Sequence, residues 1–260
     1  MPAALPTSGP PVTSVDEAIE RMQEIEAALP AADGLRCFNR MYLEVTQDVN
    51  DRIGQGYFSD PDFLATLDVV FANIYFDAVD AVVIEPHALP VAWQPLLEAR
   101  SRPDIYPIQF ALAGMNAHIN HDLPIALVRT CTQLGTAPVD GSHHSDYQKV
   151  DALLDAAEQS VRQSFESGEA LRADQDAQRV LDLVDNWSIN SARDVAWDTA
   201  IALWRSRDDA TVEDLMMGGV ARTVAMASRC LLVPADDEKK HTSLALCDRV
   251  RRSLEVLLRG

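Results

Sequence analysis

Apolar residues recur at spacings of three and four along most of the chain, and that period predicts helices. Ser14 followed by Glu17 forms a capping box and opens a first helix that runs to about Ala28. After the break at Asp33-Gly34, Leu35, Phe38, Met41, Tyr42, Val45, Val49 and Ile53 define a second helix, stopped at Gly54 and Gly56. Asp60 before Pro61 reads as an N-cap with proline at the first helical position. The third helix carries Leu64, Phe71, Ile74 and Tyr75 and continues to about Val83. Prolines at 86, 90, 95, 103 and 107 punctuate a connection that holds at most one short helix.

A helix from about Ile108 to Thr132 follows, then a loop with Gly135, Pro138 and Gly141. His143 to Tyr147 lies at the junction of that loop with the next helix, which runs to Gly168, and Asp146 reads as its N-cap. A long helix extends from about Ala170 to Arg205. Thr211 with Asp214 caps another that ends near Cys230, and Thr242 caps the last. No run alternates with period two, and no internal repeat occurs. The expected fold is all-α: a Pro-rich disordered tail over 1–13, then a single domain over 14–260, an irregular bundle of about eight helices.

One helix departs from its own pattern. FALAGMNAHINHDLPIALV, from Phe110 to Val128, is apolar, yet Asn116, His118, Asn120, His121 and Asp122 sit in its middle. At 100° per residue His121 lies about 60° to one side of His118 and Asp122 about 40° to the other, so the three share one face. Pro124 removes the hydrogen bond that would reach the Asn120 carbonyl, which predicts a kink over 120–123. Polar groups buried at a kink are costly unless something satisfies them. Either a ligand does so or the groups bond to one another and to neighbouring helices. Small Ala113, Gly114 and Ala117 leave room for a ligand or for a close helix crossing.

Other polar residues fall inside apolar stripes. Asp68 shares a face with Leu64, Phe71 and Tyr75. Trp187, Trp197 and Trp204 lie on one side of the long helix, with Asn190 and Asp194 between them, and Arg193 is placed to pair with Asp68 or Asp194. Four of the six histidines fall between residues 118 and 144. His118, His121 and Asp122, completed by His143 or His144, are therefore candidate ligands of one divalent metal, with zinc favoured and iron or manganese as alternatives. Asp68 and Asp146 are candidate general bases. Asn116, Asn120, Tyr147, Arg193 and Trp197 are candidate substrate-binding groups.

Composition narrows the partners. Forty acidic against 22 basic residues give a formal charge of -18, which argues against nucleic acid and anionic membranes. No apolar run is long enough to span a bilayer, and the N-terminus lacks the pattern of a secretory signal. Cys37, Cys131, Cys230 and Cys247 form no CxxC pair and read as four buried thiols, which fits a cytoplasmic protein. The dinucleotide, P-loop, HExxH and GxSxG motifs are absent.

The chain resembles a bacterial family designated domain-of-unknown-function family 5995. The likeness rests on FNRMYLEVT (38–46), FSDPDFLATLDVVFANIYF (58–76), WQPLLEAR (93–100), FALAGMNAHINHDLPIAL (110–127) and HHSDYQKVDALL (143–154), with Trp187, Ala192-Arg193, Ala196-Trp197 and Leu203-Trp204. These segments cover most of residues 35–205. The resemblance implies no activity, but it gathers Asp68, Asn116, His118, His121, Asp122, His143, His144, Asp146, Tyr147, Arg193 and Trp197. A weaker analogy, the HxxxD spacing of His118 and Asp122, links the chain to the helical zinc phospholipase C and P1 nuclease group. The chain has no second such helix.

The expectation is an enzyme with a His/Asn/Asp site inside the bundle. It would perform metal-assisted hydrolysis, or acid-base chemistry of the isomerase or cyclase kind, on a small apolar metabolite. The alternatives are a non-catalytic small-molecule binder and a structural polar network.

Overall fold

A computed structural model describes residue 5 and residues 9–139, 141–154 and 188–234. The regular structure among its described residues is helical, with no strand. The elements are α1 (Val15–Ala28), α2 (Gly34–Gly54), α3 (Pro61–Ile84), a short 3₁₀ turn (Pro86–Ala88) and α4 (Gln94–Ala99). α5 (Pro107–Ala117), a π turn (His118–Asp122) and α6 (Leu123–Leu134) run on without a break. α7 (Ser142–Lys149), α8 (Ile189–Ser206) and α9 (Ala210–Leu231) complete the described set.

The caps explain where the helices start. Ser14 Oγ accepts from Glu17 N, Asp33 from Leu35 N, Asp60 from Phe63 N and Ser188 from Ser191 N. α9 starts two residues earlier than Thr211 suggests, because Asp209 caps the backbone N–H groups of Thr211 and Val212. Asp33 does double duty: its other oxygen pairs with Arg100 at 3.0 Å, with both side chains 3% exposed, and ties the start of α2 to the end of α4. The end of the expected tail, just before α1, is held in place. Val12 is buried, and it exchanges two 2.9 Å hydrogen bonds with the Asn73 amide on α3, which anchors the expected tail.

α5 lies at the centre, packed between α2 and α9, while α6 packs on α3 and α8. α5 is buried from Ile108 to Ala117, so its apolar residues face neighbours on every side. Close approach to α2 depends on Gly114, where a methyl group would overlap the Phe38 ring. Gly114→Ala is expected to lower stability by about 1–3 kcal/mol. Urea unfolding measures this, and an unchanged midpoint would show that Phe38 moves aside freely.

Cys37 and Cys131 are free thiols, but Cys230 is disulfide-bonded, which corrects the expectation of four thiols. Among the described residues no helix is long and apolar enough to cross a membrane. The helix ends expected at Gly168 and Ala170, Trp187, and the helix capped by Thr242 all lie outside the described residues.

Candidate functional site: an Asp-His pair opening into an apolar cavity

Pro124 does not break its helix. Without an N–H, and with a ring that clashes four residues back, proline forces the turn before it to widen. The turn takes the π form: the Leu123 N–H reaches the His118 carbonyl, five residues back, and the helix continues. The expected kink is thus a one-turn bulge. It presents three side chains of the turn to one another.

Asp122 is the hub of this turn. It is fully buried, and its carboxylate collects hydrogen bonds from Trp93 Nε1 at 2.9 Å and from His118 Nδ1 at 3.1 Å on Oδ2, and from His121 Nδ1 at 2.7 Å on Oδ1. Burial alone would raise its pKa, but the hydrogen bonds from His118 and His121 outweigh it and hold the group below the usual carboxylate range. Asp122 therefore stays charged and can only accept. Both histidines must then carry their proton on Nδ1. For His118, burial pushes the pKa below the ordinary value, and the Asp122 hydrogen bond and charge offset this only in part. His118 is a neutral imidazole with a bare lone pair on Nε2.

That Nε2 atom is buried and has no hydrogen-bond partner. His118 lines an apolar cavity of about 70 Å³. The walls come from five places in the chain: Phe38 and Tyr42 on α2, Leu64, Asp68 and Phe71 on α3, Met115 and His118 on the central helix, Tyr147 and Val150 from the α7 region, and Ile189 and Arg193 on α8. Aromatic rings fix the imidazole. Phe71 stacks flat on it at 3.5 Å, and Tyr42 meets it edge-on at 4.4 Å between centroids.

The second unpaired polar atom in the cavity wall is Asp68 Oδ2. Removal from water raises the Asp68 pKa to about 7, against a partial offset by the Arg193 charge. Arg193 is not the ion-pair partner of Asp68, as the sequence suggested. Its Nε bonds Asp151 at 2.6 Å, its Nη2 bonds the Tyr147 carbonyl at 2.6 Å, and its guanidinium lies over the Tyr147 ring. The Tyr147 hydroxyl donates to the Arg193 carbonyl at 2.7 Å, so the two residues clamp α7 to α8 and form one wall of the cavity. The Tyr42 hydroxyl stays protonated, held well above its ordinary pKa by burial and by the charges of Asp68 and Asp122.

The remaining expected site residues lie elsewhere or are already engaged. Asn116 donates to the Val224 carbonyl and to Ser228 Oγ, both at 2.9 Å, and accepts from Asn120 at 3.1 Å. These two amides join the central helix to α9 and do not line the cavity. His143 bonds Asp60 at 2.8 Å and stacks on Phe63. His144 stacks on Trp197 at 4.6 Å. Asp146 is not an N-cap: α7 starts at Ser142, and the buried Asp146 accepts from Asp60 N at 2.6 Å and Lys149 Nζ at 2.7 Å. Burial raises its pKa, but these bonds bring it below the ordinary value, so it makes a poor base. The Trp197 indole N–H is buried without a partner, outside the cavity wall.

The five expected metal ligands are thus not gathered at one point. His118 and His121 turn their Nδ1 atoms to Asp122, and His143 and His144 contact Asp60 and Trp197. Among the described residues no group of three or more His, Cys, Asp or Glu side chains is arranged to hold a metal ion. The HxxxD spacing shared with zinc phosphodiesterases makes a hydrogen bond here.

Neither Trp93 nor the aromatic walls Phe38 and Tyr42 stand out in the sequence as parts of the site. Trp93 reaches Asp122 from 29 residues away, which no local pattern signals. No curated protein and no solved structure matches the chain. A family model described as a family of unknown function (DUF5995) matches residues 15–234, which span the Asp-His pair, the cavity and the clamp, and the chain belongs to that family.

Proposed function

We propose that the protein is an acid-base enzyme acting on a small apolar metabolite held in the cavity. The observation that carries this is the bare Nε2 of His118, aligned by an ionised Asp122 and sharing a cavity with Asp68. An imidazole whose Nδ1–H is fixed by a carboxylate is the standard arrangement of a general base, since the tautomer is set and the imidazolium is stabilised as it forms. Asp68, with a pKa near 7, holds its proton for part of the population at neutral pH and supplies the acid. Two titratable groups with opposed environments in one apolar cavity are a natural acid and base. Asp122, Trp93 and His121 position the base, and Arg193 with Tyr147 closes the wall.

The test uses protein in D2O with a small-molecule extract of the cells that make it. Mass spectrometry follows deuterium gained at carbon. The wild type is expected to label at least one compound, and His118→Gln to lower that rate by about 100-fold or more. Asp68→Asn serves as a second variant, outside the hydrogen-bond network of the π turn. Labelling that is equal in all three proteins, or absent in the wild type, would remove the acid-base reading and leave the cavity as a binding site.

A further inference from the structure

We propose that the substrate is an uncharged carbonyl compound with a C–H next to the carbonyl, and that the cavity enolises it. This rests on the acid-base reading of the same site. Charge and geometry set the class. The Arg193 guanidinium in the wall is already consumed by Asp151 and the Tyr147 carbonyl, so a carboxylate ligand would find no free cation there. It would instead face Asp68 and the charged Asp122 behind His118. An ammonium ligand would have to shed its water into a wall that is mainly aromatic and aliphatic. A neutral ligand meets neither problem, and the wall is otherwise aromatic and aliphatic.

The polar demands are equally specific. His118 Nε2 offers a lone pair and no proton, and Asp68, where it holds its proton, offers one hydroxyl. A carbonyl oxygen takes the Asp68 hydrogen bond, which leaves the adjacent C–H for His118. In the step, that C–H bond breaks and its proton goes to Nε2. The electron pair becomes the enol double bond, and the carbonyl oxygen takes the Asp68 proton. Return of a proton from His118 to the same carbon, as the enol O–H hands its proton back to Asp68, exchanges it, and return to a more distant carbon of a conjugated enol isomerises the substrate. No oxidant, reductant or further reactant enters. The cavity is about 70 Å³, under half of the ~150 Å³ that holds benzene in an engineered core. The reacting end of the substrate is therefore compact. Asp68 and Phe71 are only partly buried, which leaves a way in on the α3 side.

Butanone, isobutyrate and isopropylamine are the probes, similar in size and different in charge. The Met41 and Met115 methyl groups, both in the cavity wall, report occupancy by carbon-13 NMR. Butanone is expected to shift both methyl signals and to exchange its C3 protons in D2O above the buffer rate. His118→Gln and Asp68→Asn should each lower that exchange by about 100-fold. Preferential binding of isobutyrate or isopropylamine would overturn the substrate class, as would bound butanone that does not exchange. Deuterium labelling of other compounds from the extract would then leave the acid-base reading standing. If neither butanone nor any compound in the extract is labelled, both fall.

Discussion

Asp122→Ala is expected to cost about 3–5 kcal/mol of stability, the largest loss from any single side chain in the site. The wild-type carboxylate accepts from three donors at once, and two of them, the His118 ring and the Trp93 indole, are almost fully buried. Truncation strands both N–H groups, and each stranded donor costs about 1–3 kcal/mol. His121 is 12% exposed, so water replaces part of its bond and its share is smaller. Asp122→Asn keeps the shape and one acceptor oxygen and should recover part of the loss. Urea unfolding gives the size of the effect. Nitrogen-15 NMR of the His118 ring gives the cause: Nδ1 is protonated in the wild type, and the tautomer is freed in the variant. A loss under about 1 kcal/mol with an unchanged tautomer would mean that Asp122 does not orient His118.

The helices were legible because their signals are local. The Ser14 and Asp60 caps, the Pro61 start and the glycines after Ile53 act within a turn, and the observed boundaries fall at those positions. The odd polar patch at His118 to Asp122 was also visible, since polar residues in an apolar stripe break a pattern. Its geometry was not. Projection at 100° per residue assumes an α-helix, and the π turn changes that angle where the question is asked. His118 and His121, which the projection places on one face, both turn Nδ1 to their neighbour Asp122.

Charge pairing was the least legible feature. Arg193 was offered two plausible acids by position, and it took a third, Asp151, 42 residues away in sequence. Sequence spacing cannot rank partners that only tertiary packing brings together. Asp68 stands out in the sequence as an acid within an apolar stripe, yet its consequence depends on Arg193 going elsewhere. With Arg193 engaged, Asp68 keeps a raised pKa. With Arg193 as its partner, it would have been an ordinary ion pair.

That difference sets the last expected result. Asp68→Asn should be more stable than the wild type at pH 8, by up to about 4 kcal/mol, and close to it at pH 4. The native Asp68 pKa is raised to about 7 from the ordinary 3.8, so between those values the folded protein holds a proton that the unfolded chain has lost. Stability then falls as pH rises, since the native state binds the extra proton. The contribution from this group is fully present below pH 3.8, shrinks through the interval and is gone above about 7, where the folded protein must hold a partly buried carboxylate whose Oδ2 has no partner. Asparagine removes the titration and keeps the size. Asp122, Asp146 and Glu26, whose native pKa values are lowered, lose stability in the opposite direction as pH falls, and they cancel in the comparison. The measured quantity is therefore the difference between the two unfolding free energies at each pH from 4 to 8. A difference that widens with pH and levels off near 7 to 8 supports a partly buried Asp68 with no ion-pair partner. A flat difference would mean that Asp68 is ionised at little cost in the native state, and the cavity would then lack its acid.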